Sequence, residues 1–144
     1  MLNDRSNTVS VASPLDGARG YLAALEVLVA TPLNRQLIYP IGLVASQALE
    51  LGLKALLLNE RWTEDELRNK IGHNLKMAWD EARKVGLKVD WAHTYSIDVL
   101  SLSHEAPYLF RYPREKVAAA ITEPEVLFRD VKAVINAVEK HLAL

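Results

Sequence analysis

Apolar residues recur every three or four positions along most of the chain, a spacing typical of amphipathic helices. The pattern, broken at proline and glycine, predicts five main helices. The first begins after Ser13, a favourable N-cap residue followed by Pro14, and is expected to end near Thr31. The last runs almost to the end of the chain, and we expect Thr122 and Glu125 to form a capping box at its start.

The second predicted helix begins at Pro40 and is apolar or small on almost every face. Its polar residues Ser46, Glu50 and Lys54 are four positions apart and therefore share one narrow stripe. A glutamate and a lysine would be costly in the hydrocarbon of a membrane. We therefore predict a central core helix of a soluble protein, packed tightly against its neighbours.

Two helices are expected between residues 63 and 86. Thr63 and Glu66 form a capping-box pattern for a short helix that stops near Gly72. Asn74 can cap the next helix, whose apolar face is clear, and Gly86 suits the left-handed position at its end. These two boundaries place a glycine, a histidine and an asparagine in one turn between the helices.

The segment 94–114 is harder to assign, because part of its apolar pattern alternates as in a strand. We predict a helix that ends at about His104. Pro107 and Pro113 prevent the sequence "PYLFRYP" from forming a regular helix. This stretch is therefore expected to be a loop.

Length and composition narrow the possible functions. We expect one domain over residues 13–144 of this 144-residue chain, after a flexible tail over residues 1–12. With 17 basic and 18 acidic residues, the chain has no global charge for holding nucleic acid or a membrane, so such a partner needs a local patch. The chain has no cysteine, which excludes disulfides, thiol catalysis and cysteine-bound zinc, and we expect a cytoplasmic protein.

Three segments together resemble the HEPN domain superfamily. They are "SQALELGLKALLL" in the central helix, "IGHNLKMAWDEA" at the next long helix, and "FRYP" after the fourth. The resemblance covers residues 15–142 and implies an all-α, up-and-down bundle of four to five helices that is commonly a homodimer. It also implies a toxin–antitoxin or phage-defence context, with a nucleotidyltransferase-type or antitoxin protein as partner.

The ribonucleases of this superfamily use an arginine followed, after four to six residues, by a histidine. In this chain Arg68 and His73 have four residues between them. Such a pair would act without a metal, the imidazole exchanging a proton and the guanidinium holding the phosphate. However, about 0.75 such matches are expected by chance in a chain of this composition. Gly72 also separates the two residues, so catalysis is an alternative and not the main prediction.

The turn at His73 could instead bind an anion. We expect free backbone N–H groups at Asn74 and Leu75, where the positive end of a helix favours a phosphate, with Lys70 adding charge. The same helix end disfavours a charged imidazole, so His73 is expected to be mostly neutral and to act through hydrogen bonds. In a purely structural interpretation, His73 only closes the turn against the second helix.

The segment "FRYPREK" is the densest basic cluster of the chain. Arg111, Arg114 and Lys116 could pair with phosphate, and Tyr112 could stack on a base. In the structural alternative, Tyr112 packs onto the bundle and Arg111 pairs with an acid such as Glu50. If the resemblance holds, this loop should lie near the "GHNL" turn.

We predict no metal site and no cofactor, because no two histidines have the i, i+4 spacing of a helical zinc site. The main prediction is a dimerising module that binds a nucleotide or an RNA phosphate. The alternatives are a metal-independent ribonuclease of the toxin type and a non-catalytic module for protein interaction.

Overall fold

The computed structural model describes residues 13–105, 108–115 and 117–143. The predicted tail over residues 1–12, Pro107 and Lys116 lie outside these ranges. Six α-helices and no strand are found in the described parts of the chain, so the all-α prediction is confirmed. The helices are α1 (Pro14–Val29), α2 (Ile38–Asn59), α3 (Glu64–Glu66), α4 (Leu75–Lys84), α5 (Thr94–His104) and α6 (Pro124–Leu142).

The predicted number of helices, four to five, is met only if the shortest one is left out. Helix α3 has three residues and continues directly into a π-helical turn over Leu67–Ile71. Short 3-10 turns over Asn34–Gln36 and Trp91–His93 precede α2 and α5. The remaining five helices each have ten residues or more, and they build the core.

Helix α2 is the centre of the fold, as its apolar pattern predicted. It contacts α1, α4, α5 and α6, and its buried residues include Leu49, Leu53 and Leu56. It begins at Ile38, two residues before the predicted start, so Pro40 lies in the first turn, where a backbone N–H has no partner within the helix. This helix is long and apolar enough to cross a membrane, but 67% of its most apolar window is buried within the described protein.

Two glycines of α2 allow neighbouring side chains to approach its backbone, as expected for a tightly packed helix. A Cβ atom at Gly42 would overlap the ring of Phe110, and one at Gly52 would lie 2.5 Å from Cδ1 of Ile135 in α6. Overlaps of this kind are not tolerated without movement of the neighbour. The ring of Phe110 therefore packs directly against the backbone at Gly42, and this contact anchors the segment around Phe110 on α2.

Most predicted helix ends are confirmed. Ser13 caps α1, Thr63 and Glu66 form a capping box at α3, and the side chain of Asn74 caps α4. Helix α4 is followed by Gly86 in a left-handed conformation, with φ of 108°. These ends set the length of α4 and fix the turn that precedes it.

The capping box predicted for α6 is wrong. The helix begins at Pro124, with Glu123 as N-cap and no side-chain cap. The hydroxyl of Thr122 instead shares a buried hydrogen bond with Ser96 of α5, at 2.9 Å, and Glu125 accepts one from Asn34, at 3.2 Å. Tertiary partners have taken both groups that would have formed the box.

Candidate functional site

The central helix α2 carries a buried carboxylate with three hydrogen-bond or ion-pair partners. Glu50 of α2 is 6% exposed, and its Oε1 atom is 2.8 Å from Nδ1 of His73 and 2.9 Å from Nε2 of His104. The ammonium of Lys54, one turn along α2, is 3.3 Å from Oε2. We call these four residues, Glu50, Lys54, His73 and His104, the Glu50 cluster.

Local structure explains how the two histidines reach Glu50. The π-helical turn ends at Gly72, whose φ of 56° reverses the chain just before His73. Asn74 then caps α4 by accepting a hydrogen bond from the N–H of Met77 at 3.0 Å. His73 is therefore held in a short turn between two fixed ends, while His104 is the last residue of α5 and is 2% exposed.

The cluster keeps Glu50 ionised. Burial alone would raise the pKa of Glu50, but the hydrogen bonds from His104 and His73 and the charge of Lys54 outweigh it and lower the pKa to about 2. A buried carboxylate is stable only with such partners. Glu50 is therefore a fixed negative charge that orients both imidazole rings.

The two histidines differ in the environment of the ring nitrogen that does not face Glu50. When His73 donates from Nδ1 to the carboxylate, the Nε2 atom of its neutral ring is an acceptor, and its side chain is 37% exposed. No described residue forms a hydrogen bond with this Nε2. His104 uses Nε2, and its Nδ1 is buried without a partner in the described structure. His73 is thus the member of the pair with access to solvent.

Tyr108 connects the basic loop to this cluster. Its ring meets the ring of His73 edge to face, with centroids 5.7 Å apart. The carbonyl oxygen of Tyr108 accepts hydrogen bonds from the N–H groups of Arg111, at 3.0 Å, and Tyr112, at 2.9 Å. We call residues 108–115 the Arg111 loop. Its first residue lies against His73, and Phe110 anchors it on α2.

The three described basic-loop candidates face outward. Arg111, Tyr112 and Arg114 are exposed, Tyr112 to 65%, and their side chains form no hydrogen bond or ion pair with the residues that the structure describes. In the structural alternative, Tyr112 packs onto the bundle and Arg111 pairs with an acid such as Glu50; Tyr112 is instead exposed, and no described acid pairs with Arg111. His73, His104 and Lys54 occupy the carboxylate instead. Lys116 lies outside the described residues.

Other predicted site residues are engaged elsewhere. Arg68 pairs with Asp65 and Lys70 with Glu66, each at 3.3 Å on the exposed surface. The sequence predicts a free N–H at Asn74, but this prediction is wrong. The N–H donates to the carbonyl of Ile71 at 3.0 Å. The turn closes on itself here, so the start of α4 offers fewer donors to an anion than its sequence suggested.

A second buried carboxylate, that of Asp130, forms a separate polar cluster with side chains of neighbouring elements. Asp130 of α6 is 2% exposed and accepts hydrogen bonds from Nδ1 of His93, at 2.6 Å, and from the hydroxyl of Ser96. In a catalytic triad the imidazole stands between the acid and the hydroxyl. Here the carboxylate is the shared partner, so this arrangement fastens α5 to α6 and does not activate Ser96.

A short motif identifies His73, but no motif identifies Glu50 as the centre of the site or His104 as a member of it. The three residues are separated by 23 and 31 positions, and no local motif links them. The one available signal was a glutamate on the polar stripe of an otherwise apolar helix, since a buried charge requires partners.

Comparison of the chain with models of known families, with curated proteins and with solved structures finds no match.

Proposed function

We propose that this chain is a HEPN-like, dimerising cytoplasmic module that binds the phosphate of a nucleotide or of RNA through the Arg111 loop, while the adjacent Nε2 of His73 accepts a hydrogen bond from a hydroxyl or N–H group of the same ligand. The observation that carries the proposal is the state of Arg111 and Arg114. Both are exposed and form no ion pair with the described residues, in a loop whose first residue contacts His73. By contrast, Arg19 and Arg35 are paired with carboxylates.

The chemistry of the loop suits a phosphate ester with an attached base. Guanidinium groups bind phosphate oxygens with two parallel hydrogen bonds, and the exposed ring of Tyr112 offers a face on which a base can stack. Phe110 on Gly42 and the carbonyl of Tyr108 hold the loop before any ligand arrives. Such preorganisation reduces the entropy lost on binding.

Fluorescence anisotropy with labelled single-stranded RNA, and with a labelled ATP analogue, tests this proposal. We expect Arg111→Gln and Arg114→Gln to weaken binding and to lower the slope of log affinity against log salt by about 1 each. Arg61→Gln is the matched control, since Arg61 is also exposed and unpaired among the described residues but lies beyond the C-terminal end of α2. Equal binding by the double variant and the wild type would refute the proposal.

A metal-independent ribonuclease is the second candidate, and the hydrogen bond between His73 and Glu50 favours it. A carboxylate that holds Nδ1 of an imidazole leaves Nε2 placed to accept a proton, here from a ribose 2′-hydroxyl. In the predicted pair, Arg68 would leave Asp65 to hold the phosphate. RNA cleavage in excess EDTA, present in the wild type and lost in His73→Ala and Arg68→Gln, would support this candidate.

The same samples separate the remaining alternative. Binding without cleavage supports the binding module, whereas neither binding nor cleavage indicates a protein-interaction module. For that module, the HEPN resemblance suggests a nucleotidyltransferase-type or antitoxin partner. Sedimentation equilibrium tests the proposed homodimer independently of any ligand.

A further inference from the structure

The Glu50 cluster brings together three groups that are common metal ligands. One ligand atom from each of Glu50, His73 and His104 lies within 4.8 Å of the other two, and Nδ1 of His73 and Nε2 of His104 are 2.8 and 2.9 Å from Oε1 of Glu50. They come from α2, from the turn before α4 and from the end of α5. Contrary to the absence of a metal site predicted from histidine spacing, we propose that these three residues form a binding site for a divalent transition-metal ion, with Zn²⁺ as the best match.

The ligand set and its spacing support Zn²⁺. Two imidazoles and one carboxylate are an established set for this ion, and Mg²⁺ prefers oxygen ligands alone. Ligand atoms around tetrahedral zinc are about 3.3 Å apart, from bond lengths near 2.0–2.1 Å. The two nitrogens are now 2.8 and 2.9 Å from the oxygen, so each pair has to open by roughly half an ångström. His73 lies in a turn and is partly exposed, so it can make this movement.

Binding of the ion exchanges hydrogen bonds for coordination without net loss of protons. Each imidazole moves its proton from the nitrogen that faces Glu50 to its other ring nitrogen, and the freed lone pair binds the metal. Three protein ligands leave the fourth position of the ion for water or an anion. The side chain of His73, 37% exposed, lies on the side from which the ion and such a ligand can enter.

Two neighbouring groups should lower the affinity of the site for a cation, and one of them can be removed by substitution. The ammonium of Lys54 is 3.3 Å from the other oxygen of Glu50 and repels a cation. Nδ1 of His104 would carry its proton in a buried position without a described acceptor. Removing the charge of Lys54 should therefore tighten binding, an effect that an unspecific surface site would not show.

The experiment is a Zn²⁺ titration of the full chain, first stripped with EDTA and then dialysed, followed by calorimetry. We expect one ion per chain, no binding of Mg²⁺, and a loss of Zn²⁺ affinity by more than about tenfold in His73→Asn and Glu50→Gln. We expect higher affinity than wild type in Lys54→Gln. His141→Asn is the matched control, because His141 also pairs with a carboxylate, Glu60, at 2.7 Å but away from the cluster.

Absence of binding at millimolar Zn²⁺ would overturn the proposal, as would equal affinities of the wild type and His73→Asn. A failure of Glu50→Gln to fold would not remove the test, since His73 is partly exposed and Lys54→Gln has an expected effect of opposite sign. The titration contains no nucleotide and no RNA. Its result is therefore independent of the proposed phosphate binding.

Discussion

Nδ1 of His73 lies 2.8 Å from Oε1 of Glu50, a buried carboxylate 23 positions earlier in the chain. This contact joins the turn before α4 to the central helix, and it agrees with the structural interpretation in which His73 closes the turn. The same contact fixes which nitrogen of His73 faces inward and which is left for other chemistry. Structural and functional roles of this histidine are therefore compatible.

The pKa of Glu50 makes stability depend on pH in the acidic range. The folded pKa is lowered from 4.5 to about 2, so the stabilisation is complete above pH 4.5 and is lost as the pH falls towards 2. The shift corresponds to about 3 kcal/mol of unfolding free energy. Urea denaturation of the wild type between pH 5 and pH 2.5 should show this loss.

Glu50→Gln is the comparison for this pH dependence, because it removes the titrating group. The variant should be less stable than the wild type at pH 5, and the difference in unfolding free energy should shrink as the pH falls. All other carboxylates are shared by the two proteins. A difference that stays constant over this range would contradict the assigned role of Glu50.

Two glycines in helix interiors should respond to alanine in opposite ways. At Gly42 the added Cβ would overlap Phe110, and we expect Gly42→Ala to lower the unfolding free energy by about 1–3 kcal/mol. At Gly20 in α1 the new Cβ would meet nothing within 4 Å beyond the adjacent residues and nearby backbone of its own helix, and Gly20→Ala should raise the unfolding free energy by about 0.5–1 kcal/mol through helix propensity. Urea denaturation measures both.

The packing of Phe110 also links stability to the proposed site. Because this ring anchors the Arg111 loop on α2, Gly42→Ala should weaken RNA binding as well, whereas Gly20→Ala should leave it unchanged. If Gly42→Ala were as stable as Gly20→Ala, the close approach between α2 and Phe110 would be wrong.

The cap of α4 should contribute to stability without a ligand. Asn74→Ala removes the acceptor for the N–H of Met77 and should cost about 1 kcal/mol. Asn69→Ala serves as the control, because Asn69 is exposed and its side chain forms no hydrogen bond with the described residues. Thermal denaturation of both variants checks this, and an equal effect of the two would exclude the cap.

Local patterns in the sequence are sufficient to predict most of the helices and their caps. The caps at Ser13, Thr63 and Asn74 depend on residues three positions away or closer, and the burial of α2 follows from its apolar faces. The capping box predicted at Thr122 does not form, because Ser96 of another helix binds the same hydroxyl. A tertiary partner of that kind leaves no trace in the local sequence.

The candidate site was predictable only in part, for the same reason. His73 and the Arg111 loop were identified from short motifs, and Tyr108 brings them together through a ring contact that no periodicity predicts. Glu50 and His104 meet because α2 and α5 pack against each other. The free N–H expected at Asn74 was a local prediction that failed, since the turn residue Ile71 accepts its hydrogen bond.

Asp130 in α6 is a buried carboxylate, and Glu123 just before this helix is an exposed one, so the two should contribute differently to stability. Asp130→Ala removes the acceptor of His93 and one of the two hydrogen-bond partners of Ser96, and it should lower the unfolding free energy by about 2–5 kcal/mol. Glu123→Ala breaks an ion pair with Arg35 in which both side chains are more than half exposed, and it should cost less than about 1 kcal/mol. Urea denaturation at pH 7 compares the two variants. Similar losses would mean that the contacts of Asp130 do not fasten α5 to α6, whereas a large difference would identify this carboxylate as a structural centre distinct from the Glu50 cluster.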